Sequence, residues 1–312
     1  MTTERLDLRV PDGFAGERVD RVLATLAERS RAEVRALLET GGVRLDGATV
    51  TRGATPVTAG QRLEVDLPAR GDGTVAPDPD VAVTVVHEDP DFVVVDKAPD
   101  LVVHPGAGQR EGTLVAGLLA RYPEIAALAP LGERVRPGVV HRLDKGTSGL
   151  LVVARSARGL SSLREQMVER AVSRTYTAFV QGHVVEDRGV VDAPLGRSAR
   201  QPTAMAVRED GRPARTHYRV RRRYDAPYPV TELEVELETG RTHQIRVHLA
   251  SIGHPVVNDP RYGHRRDERL AEGRVALHAS ALAFSHPRSG EPVRVTRDLP
   301  ADLAALREGS VG

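Results

Sequence analysis

The stretch from residue 141 to residue 154 constrains the fold of this chain more than any other. It reads His-Arg-Leu-Asp-Lys-Gly-Thr-Ser-Gly-Leu-Leu-Val-Val-Ala, so that one carboxylate, Asp144, lies between the cations Arg142 and Lys145. The apolar run from Leu150 to Val153 follows two glycines and predicts a buried β-strand. A carboxylate flanked by cations at the mouth of a rigid strand has the surroundings that a catalytic acidic group requires.

Length and composition bound the class of protein. A chain of 312 residues is too long for one typical domain and suits two. The sequence has no cysteine, which excludes disulfides, thiolate metal sites and cysteine nucleophiles. No apolar run approaches the roughly 20 residues that span a bilayer, and the N-terminus lacks a secretion signal pattern. We therefore expect a cytoplasmic protein without membrane contact, and we expect a monomer.

Residues 1–70 predict a small α/β domain. The spacing of apolar residues predicts two amphipathic helices, and Ser30 followed by Glu33 forms a capping box for the second. The residues expected to face inward are Val19, Val22, Leu23, Leu26, Val34, Leu37 and Leu38. Val43 begins a short strand, and the dipeptide Asp46-Gly47 predicts a hairpin turn after it. Residues 71–80, which contain several prolines and glycines, are expected to form a linker.

Residues 81–312 predict a second domain rich in strands. Between residues 232 and 238, leucine and valine alternate with glutamate, which predicts a half-buried antiparallel strand. Ser156 is expected to cap a helix that begins after it. Strand patterns interrupted by isolated helices predict an α+β domain with a central mixed, largely antiparallel sheet.

Several segments taken together resemble the RluA-type family of RNA pseudouridine synthases. The 141–154 stretch is similar to the active-site motif of that family, and further segments match it in the same order. These segments are residues 86–99, 104–106, 174–178, 240–248, 258–263 and 277–287. The N-terminal domain resembles an S4 RNA-binding domain, on its Arg18-Val19-Asp20 start and the turn after Val43. The resemblance implies an isomerase that acts on uridines in RNA and needs neither cofactor nor metal.

The resemblance also implies roles for individual residues. Asp144 becomes the nucleophile, Arg241 its ion-pair partner, and Tyr176 the aromatic that stacks on the target base and assists proton removal at C5. Without the resemblance, Arg241 would be a solvated turn residue and Tyr176 a packed sheet aromatic. Arg142 is implied to fill the space that a flipped uridine leaves, with a simple phosphate contact as the alternative. Two apolar residues are expected to wall the pocket, namely Leu143 and Ile245.

Arginine is distributed unevenly along the chain. Of 44 basic residues only Lys97 and Lys145 are lysines, so a single arginine carries little information. Nine arginines nevertheless lie between residues 197 and 223 against two acidic residues, a local excess of +7. The excess predicts a surface for the RNA backbone, with solvated strand edges as the alternative. The expected RNA contacts are Arg215, Arg219 and Arg221 in this segment and Arg29, Arg31, Arg35 and Arg44 in the N-terminal domain.

Other catalytic classes fit the sequence less well. A zinc site could use His141, Asp144, His243 and His248, but the last two lie five residues apart rather than four. The glycines at 146 and 149 are one residue short of a nucleophile elbow. A glycosidase needs a second cooperating carboxylate, and only Asp144 has a suitable setting.

The S4 domain narrows the implied substrate. Within the family this architecture implies uridines of large-subunit (23S) ribosomal RNA, free or in a pre-ribosomal particle, with transfer RNA as the alternative. A second alternative is an RNA-binding ribosome-assembly protein with little turnover.

Overall fold

The structure is a computed structural model that describes residues 3–27, 31–68, 74–106, 109–131, 135–201 and 203–308. The chain divides into two compact units, Met1–Gly73 and Thr74–Gly312. The division falls within the expected linker, of which residues 71–73 lie outside the described residues. Asp78 already belongs to the second unit, because its backbone N–H donates to the carbonyl of Ala116. Within the described part of the chain, the helices are too short or too polar to span a membrane.

The first unit combines a four-stranded antiparallel sheet with two helices. Its strands are β1 (Thr3–Arg9), β2 (Val43–Leu45), β3 (Ala48–Thr49) and β4 (Arg62–Pro68), in the spatial order β1-β4-β2-β3. The helices are α1 (Val19–Leu26) and α2 (Arg31–Glu39), and a 3₁₀ turn covers Asp12–Phe14. Every residue predicted to face inward is buried except Leu26, which is partly exposed. Asp46 and Gly47 both have positive φ, 49° and 84°, as a two-residue hairpin turn of type I′ requires.

The sequence patterns do not predict β1. Its residues alternate charged side chains with only two leucines, Leu6 and Leu8, which pack against the core as partly buried neighbours. Pairing with β4 supplies the missing stabilisation, since the strands are antiparallel along their whole length and Arg62 forms an ion pair with Asp7 at 2.6 Å. Ser30, the expected cap of α2, lies outside the described residues.

The second unit is built on one nine-stranded sheet. Its strands are β5 (Thr84–Glu88), β6 (Phe92–Lys97), β7 (Ser148–Ala154), β8 (Ser173–Gln181), β9 (Arg188–Asp192), β12 (Arg215–Tyr224), β13 (Val230–Leu237), β14 (Leu277–Ser285) and β15 (Pro292–Thr296). The spatial order is β5-β6-β7-β14-β8-β13-β12-β9, and β15 pairs with β14. Only the β7–β14 pair is parallel among the described strands, which confirms a mixed, largely antiparallel sheet.

Helices and a small ribbon complete the second unit. The helices are α3 (Leu114–Arg121), α4 (Ala157–Val168), α5 (Gln244–Ser251) and α6 (Ala301–Ala304), with 3₁₀ segments at Pro123–Leu131 and Ala305–Arg307. The ribbon pairs β10 (Leu195–Arg197) with β11 (Met205–Val207). Ser156 caps α4 as predicted, because its side-chain oxygen accepts the backbone N–H of Gly159 at 3.0 Å.

Strand β7 lies inside the sheet and is buried on both faces. All seven of its residues are buried, which confirms the buried strand predicted from Leu150–Val153. At Gly149 the backbone has a φ of 112°, and the carbonyl of Ala279 on β14 approaches closely. The loop that carries Asp144 enters this strand directly, so its last residues are fixed by the rigid centre of the sheet.

Strand β13 shows the predicted alternation with one exception. Leu233 and Val235 are buried, and Glu236 is exposed. Glu232 is buried as well, because Arg307 pairs with it at 2.5 Å and the hydroxyl of Tyr224 donates to it at 2.8 Å. The exception follows from partners that are far away in sequence, which a local pattern does not contain.

Replacing Gly149 with alanine should destabilise the second unit. An added Cβ would lie 2.4 Å from the carbonyl oxygen of Ala279, at a φ that L-residues rarely adopt. Strain and overpacking together cost about 2–5 kcal/mol. Gly290→Ala is the matched control, because its φ is 75° but nothing lies within 4 Å, so only the strain of about 1–2 kcal/mol remains. Urea unfolding measures both variants, and equal losses would contradict this account of Gly149.

Candidate active site

One cleft in the second unit gathers the expected site residues. It has a volume of about 460 Å³ and is lined by the loop before β7, by residues of β8 and β13, and by the segment that begins α5. All six residues assigned to the pocket from the sequence line it, namely Arg142, Leu143, Asp144, Tyr176, Arg241 and Ile245. These residues come from three separate segments of the chain, and the fold brings them to one place.

The ion pair of Asp144 differs from the expected one. Arg246, not Arg241, donates from Nη1 to Oδ2 of Asp144 at 3.0 Å. Arg246 lies in the first turn of α5 and its side chain is 7% exposed, whereas that of Asp144 is 16% exposed. Arg241 precedes the helix, and its Nε donates to the carbonyl of Pro213 at 3.2 Å. The expectation that Arg241 pairs with Asp144 is therefore corrected, although Arg241 remains in the cleft wall.

A second carboxylate holds Arg246 in place. Asp259 accepts Nε and Nη2 of Arg246 at 2.7 and 2.8 Å, and its side chain is fully buried. It also accepts the backbone N–H groups of Arg261 and Tyr262. Burial raises the pKa of Asp259, but the hydrogen bond and charge of Arg246 outweigh burial and leave this pKa below its usual range. For the Arg246 guanidinium, burial lowers the pKa while Asp259 and Asp144 raise it, with a net increase.

His243 lies on the other side of Asp144. It precedes α5 with a left-handed φ of 56°, and its Nε2 is 4.0 Å from Oδ1 of Asp144. Its Nδ1 is 2.8 Å from the hydroxyl of Tyr262, which also accepts the backbone N–H of Met205. This network favours a hydroxyl proton directed at Nδ1, which leaves the imidazole proton on Nε2 facing Asp144. Burial lowers the pKa of His243, and the charge of Asp144 opposes this effect without cancelling it. The lowered pKa favours the neutral ring.

Two buried cations fix the backbone of the Asp144 loop. The ammonium of Lys97 donates to the carbonyls of Ala98, Leu101 and Lys145, and the Arg274 guanidinium donates to the carbonyl of Gly146 at 3.0 Å. Burial lowers the pKa of Lys97 to about 7, and the charge of Asp144 opposes that effect. The carbonyls that follow Asp144 are thus held from two sides.

Tyr176 lies in the middle of β8 between β13 and β14. It is opposite Val235 on one side and Ala279 on the other. Burial raises the pKa of its hydroxyl, and the charge of Asp144 adds to the increase while that of Arg174 opposes it. The hydroxyl is therefore protonated at neutral pH. Its position in the sheet fixes the plane of a ring that forms part of the cleft wall.

Arg142 has the exposure that its expected role requires. It is exposed at the cleft, and no carboxylate lies within ion-pair distance of it among the residues that the structure describes. Leu143 and Ile245 are both buried and line the cleft beside Asp144.

The arginines expected to contact RNA are only partly available. Arg215 pairs with Asp192 at 2.6 Å, and Arg221 pairs with Glu234. Arg219 is exposed, as are Arg35 and Arg44 in the first unit. Arg31 begins α2, and Arg29 lies outside the described residues. The local excess of arginine in β12 is thus offset in part by carboxylates on the neighbouring strands.

The histidines of the alternative zinc site have other partners. His248 contacts Thr216 through Nδ1 and the carbonyl of Ala193 through Nε2, at 2.8 and 2.9 Å. Nε2 of His141 accepts the backbone N–H of Val152. Within the described ranges, no group of three or more histidine or carboxylate side chains is arranged to hold a metal ion.

Some residues of the site were missed by the sequence analysis although signals existed. Arg246 stands between Ile245 and Val247 in a helix whose residues 244–249 are all buried, and a buried arginine needs a carboxylate. Lys97 is one of two lysines in a chain that otherwise uses arginine. The ammonium of Lys97 donates a hydrogen bond to the backbone carbonyl of Lys145, so the two lysines are in contact. Asp259 carried no local signal beyond its motif.

Comparison with known proteins decides the family. A family profile described as RNA pseudouridylate synthase matches residues 91–251, about half of the chain, which includes Asp144, Tyr176 and Arg246. This chain belongs to the RNA pseudouridylate synthase family. An S4 domain profile matches residues 17–63, which confirms the S4 domain expected in the first unit. Membership of this family makes the chain an isomerase that acts on RNA.

Individual members of the family match the chain over most of its length. The "Ribosomal large subunit pseudouridine synthase D" of Xanthomonas campestris pv. campestris is 45% identical over 96% of this chain and 92% of its own. The protein of the same name from Pseudomonas aeruginosa is 40% identical over 95% and 93%. The solved structure of "Human RNA Pseudouridylate Synthase Domain Containing 1" has a TM-score of 0.58 and 31% identity, and covers 72% of this chain and 86% of that chain.

The free energy of unfolding of this pseudouridylate synthase should rise with pH between about 5 and 6.5. Burial, helped by the charge of Arg174, lowers the pKa of His141 to about 3, whereas an unfolded histidine titrates near about 6.5. Between these values only the unfolded chain binds the proton, so stability is lost as pH falls. His141→Gln should reduce the slope by about 1 kcal/mol per pH unit in urea unfolding. The exposed His264→Gln is the control substitution. A slope in His141→Gln equal to that of the unmodified protein would contradict the prediction.

Proposed function

We propose that this chain converts uridine to pseudouridine in large-subunit ribosomal RNA, with Asp144 as the nucleophile. The observation that carries the proposal is the ion pair of Asp144 with Arg246 in a cleft that Tyr176 also lines. The ribosomal substrate is supported by relatives named for the large ribosomal subunit, which match nearly the whole chain. The S4 domain supplies a second RNA-binding unit. A cytoplasmic monomer acting on free RNA or on a pre-ribosomal particle is part of the proposal.

The reaction needs few groups from the protein. The N1–C1′ bond of uridine breaks, the base turns, and C5 bonds to C1′; the hydrogen of C5 leaves while N1 gains one. No oxidation occurs. The routes open to Asp144 are attack on the sugar, attack on the base, or removal of a sugar proton, and all three begin with an ionised carboxylate in the cleft.

Arg246 supplies the counter-charge of that carboxylate inside the cleft. Enclosing a charge without a partner is costly, and the Arg246 guanidinium lies 3.0 Å from Asp144. Asp259 binds Nε and Nη2 of Arg246, so the guanidinium keeps its orientation as the charge on Asp144 changes during the reaction. The loop contacts of Lys97 and Arg274 keep Asp144 at a fixed depth.

Tyr176 and Arg142 act on the base and on the space that it leaves. The target uridine must leave its stack, at a cost of a few kcal/mol. The Tyr176 ring offers it a buried aromatic face. Arg142 is two residues from Asp144 and exposed, so its planar guanidinium can enter the vacated position. While its hydroxyl is protonated, Tyr176 mainly stacks on the base. It assists the removal of the C5 proton later in the reaction.

Asp144→Asn should reduce pseudouridine formation to background while RNA binding persists. The amide keeps the size of the side chain but lacks the charge that every route requires. The measurement is release of tritium from a large-subunit ribosomal RNA transcript that carries uridine labelled at C5, with filter binding as the control. If tritium is released from labelled transfer RNA and not from the ribosomal transcript, transfer RNA is the substrate and the ribosomal part of the proposal is wrong. Binding without any release by the unmodified protein would favour an assembly factor and contradict the enzyme.

Arg246→Met and Arg241→Met should separate two arginines of the same motif. Removing Arg246 leaves the carboxylates of Asp144 and Asp259 without their counter-charge, at a cost of about 3–5 kcal/mol. The expected loss in kcat is about 10²–10³-fold or more. The side chain of Arg241 donates to a backbone carbonyl and not to Asp144, so its removal should cost less than about tenfold. The tritium assay gives both values, and a larger loss for Arg241 would contradict the pairing described above.

A further inference from the structure

Arg174 differs from the other buried arginines. Three arginines are buried among the described residues, namely Arg174, Arg246 and Arg274. Arg246 pairs with two carboxylates and Arg274 with Asp302. Arg174 is 8% exposed, and within the described part of the chain no carboxylate lies within ion-pair distance of it and its Nε has no hydrogen-bond partner. An enclosed positive charge without a partner is unfavourable unless a ligand supplies one.

Gly240 makes room for the Arg174 side chain, and His141 provides a second hydrogen-bond donor in the same cleft. An added Cβ at Gly240 would lie 2.7 Å from Nη1 of Arg174, so the glycine makes room for the guanidinium. Because Nε2 of His141 accepts the backbone N–H of Val152, its proton is on Nδ1, and Nδ1 has no partner. All three residues line the cleft of Asp144. The wall therefore contains two unsatisfied donors, and one of them carries a positive charge.

The charge of the cleft also favours an anion. Six arginines line it against the carboxylates of Asp144 and Glu238, and Arg246 is occupied by Asp144 and Asp259. His141 stays neutral and offers only an N–H group. A neutral carbonyl of the base would leave the charge of Arg174 uncompensated, whereas a phosphate would neutralise it.

The position of Arg174 relative to Tyr176 indicates which anion of the RNA Arg174 would bind. The two residues are two apart on β8, so their side chains leave the same face of the strand about 7 Å apart. With the target base on Tyr176, that spacing reaches from the base to the backbone of the same nucleotide. We propose that Arg174 binds a non-bridging oxygen of the phosphodiester next to the target uridine. The inference depends on the proposed function for the RNA, but the anion site can be tested without it.

Thermal unfolding with inorganic phosphate tests the anion site. Phosphate at saturating concentration should raise the Tm of the protein by about 2–4 °C or more. Arg174→Met should abolish this increase, and without phosphate its Tm should be equal to or above that of the unmodified protein, because an uncompensated charge is gone. Arg294→Met, at an exposed position on β15, is the matched control and should respond to phosphate as the unmodified protein does. A lower Tm for Arg174→Met together with an undiminished phosphate response would overturn the proposal.

Kinetics then connect the anion site to RNA. Arg174→Met should raise KM for the RNA about 10–100-fold with a smaller change in kcat, and Arg174→Lys should recover part of the loss because it keeps the charge. A neutral methylphosphonate next to the target uridine should lower kcat/KM for the unmodified protein and leave Arg174→Met unaffected. Equal losses in both proteins would contradict the phosphate contact. If the unmodified protein forms no pseudouridine but its phosphate response depends on Arg174, the proposed function fails and the anion site stands.

Discussion

The active site depends on one arginine shared by two carboxylates. Asp259 is fully buried and binds Arg246 through two hydrogen bonds, and Arg246 uses its third nitrogen for Asp144. Each charge in this series would be costly alone, and together they leave a carboxylate that reaches the cleft with its counter-charge already in position. Because Asp259 also binds two backbone N–H groups, the geometry of the site is tied to the main chain at residues 259–262.

The loop that carries Asp144 is held by a different kind of contact. Lys97 and Arg274 contribute hydrogen bonds to backbone carbonyls rather than to side chains. A lysine fits at position 97 because its compact ammonium has three donors, and three carbonyls converge on it. A planar guanidinium would not match that arrangement. The use of lysine in an arginine-rich chain thus follows from the shape of one buried pocket.

Local patterns predicted the elements of the fold better than the partners within the site. The buried strand β7, the turn after β2 and the cap of α4 follow from neighbouring residues, and the structure has all three. Strand β1 depends on β4, and buried Glu232 depends on Arg307, so neither could be read locally. The six residues that the resemblance assigned to the site do line one cleft, but the resemblance assigned the ion pair of Asp144 to Arg241. Arginines 241 and 246 share a motif, and only the start of α5 determines which one faces Asp144.

The parallel pairing of β7 with β14 also affects when the site can form during folding. Strands β7 and β14 run side by side, yet Asp144 is 102 positions from Arg246, and Gly146 is 128 positions from Arg274. Contacts between such distant residues form slowly, because a long loop must close before they contribute stability. A nascent chain emerging from the ribosome therefore lacks a complete catalytic centre until β14 has been synthesised and paired.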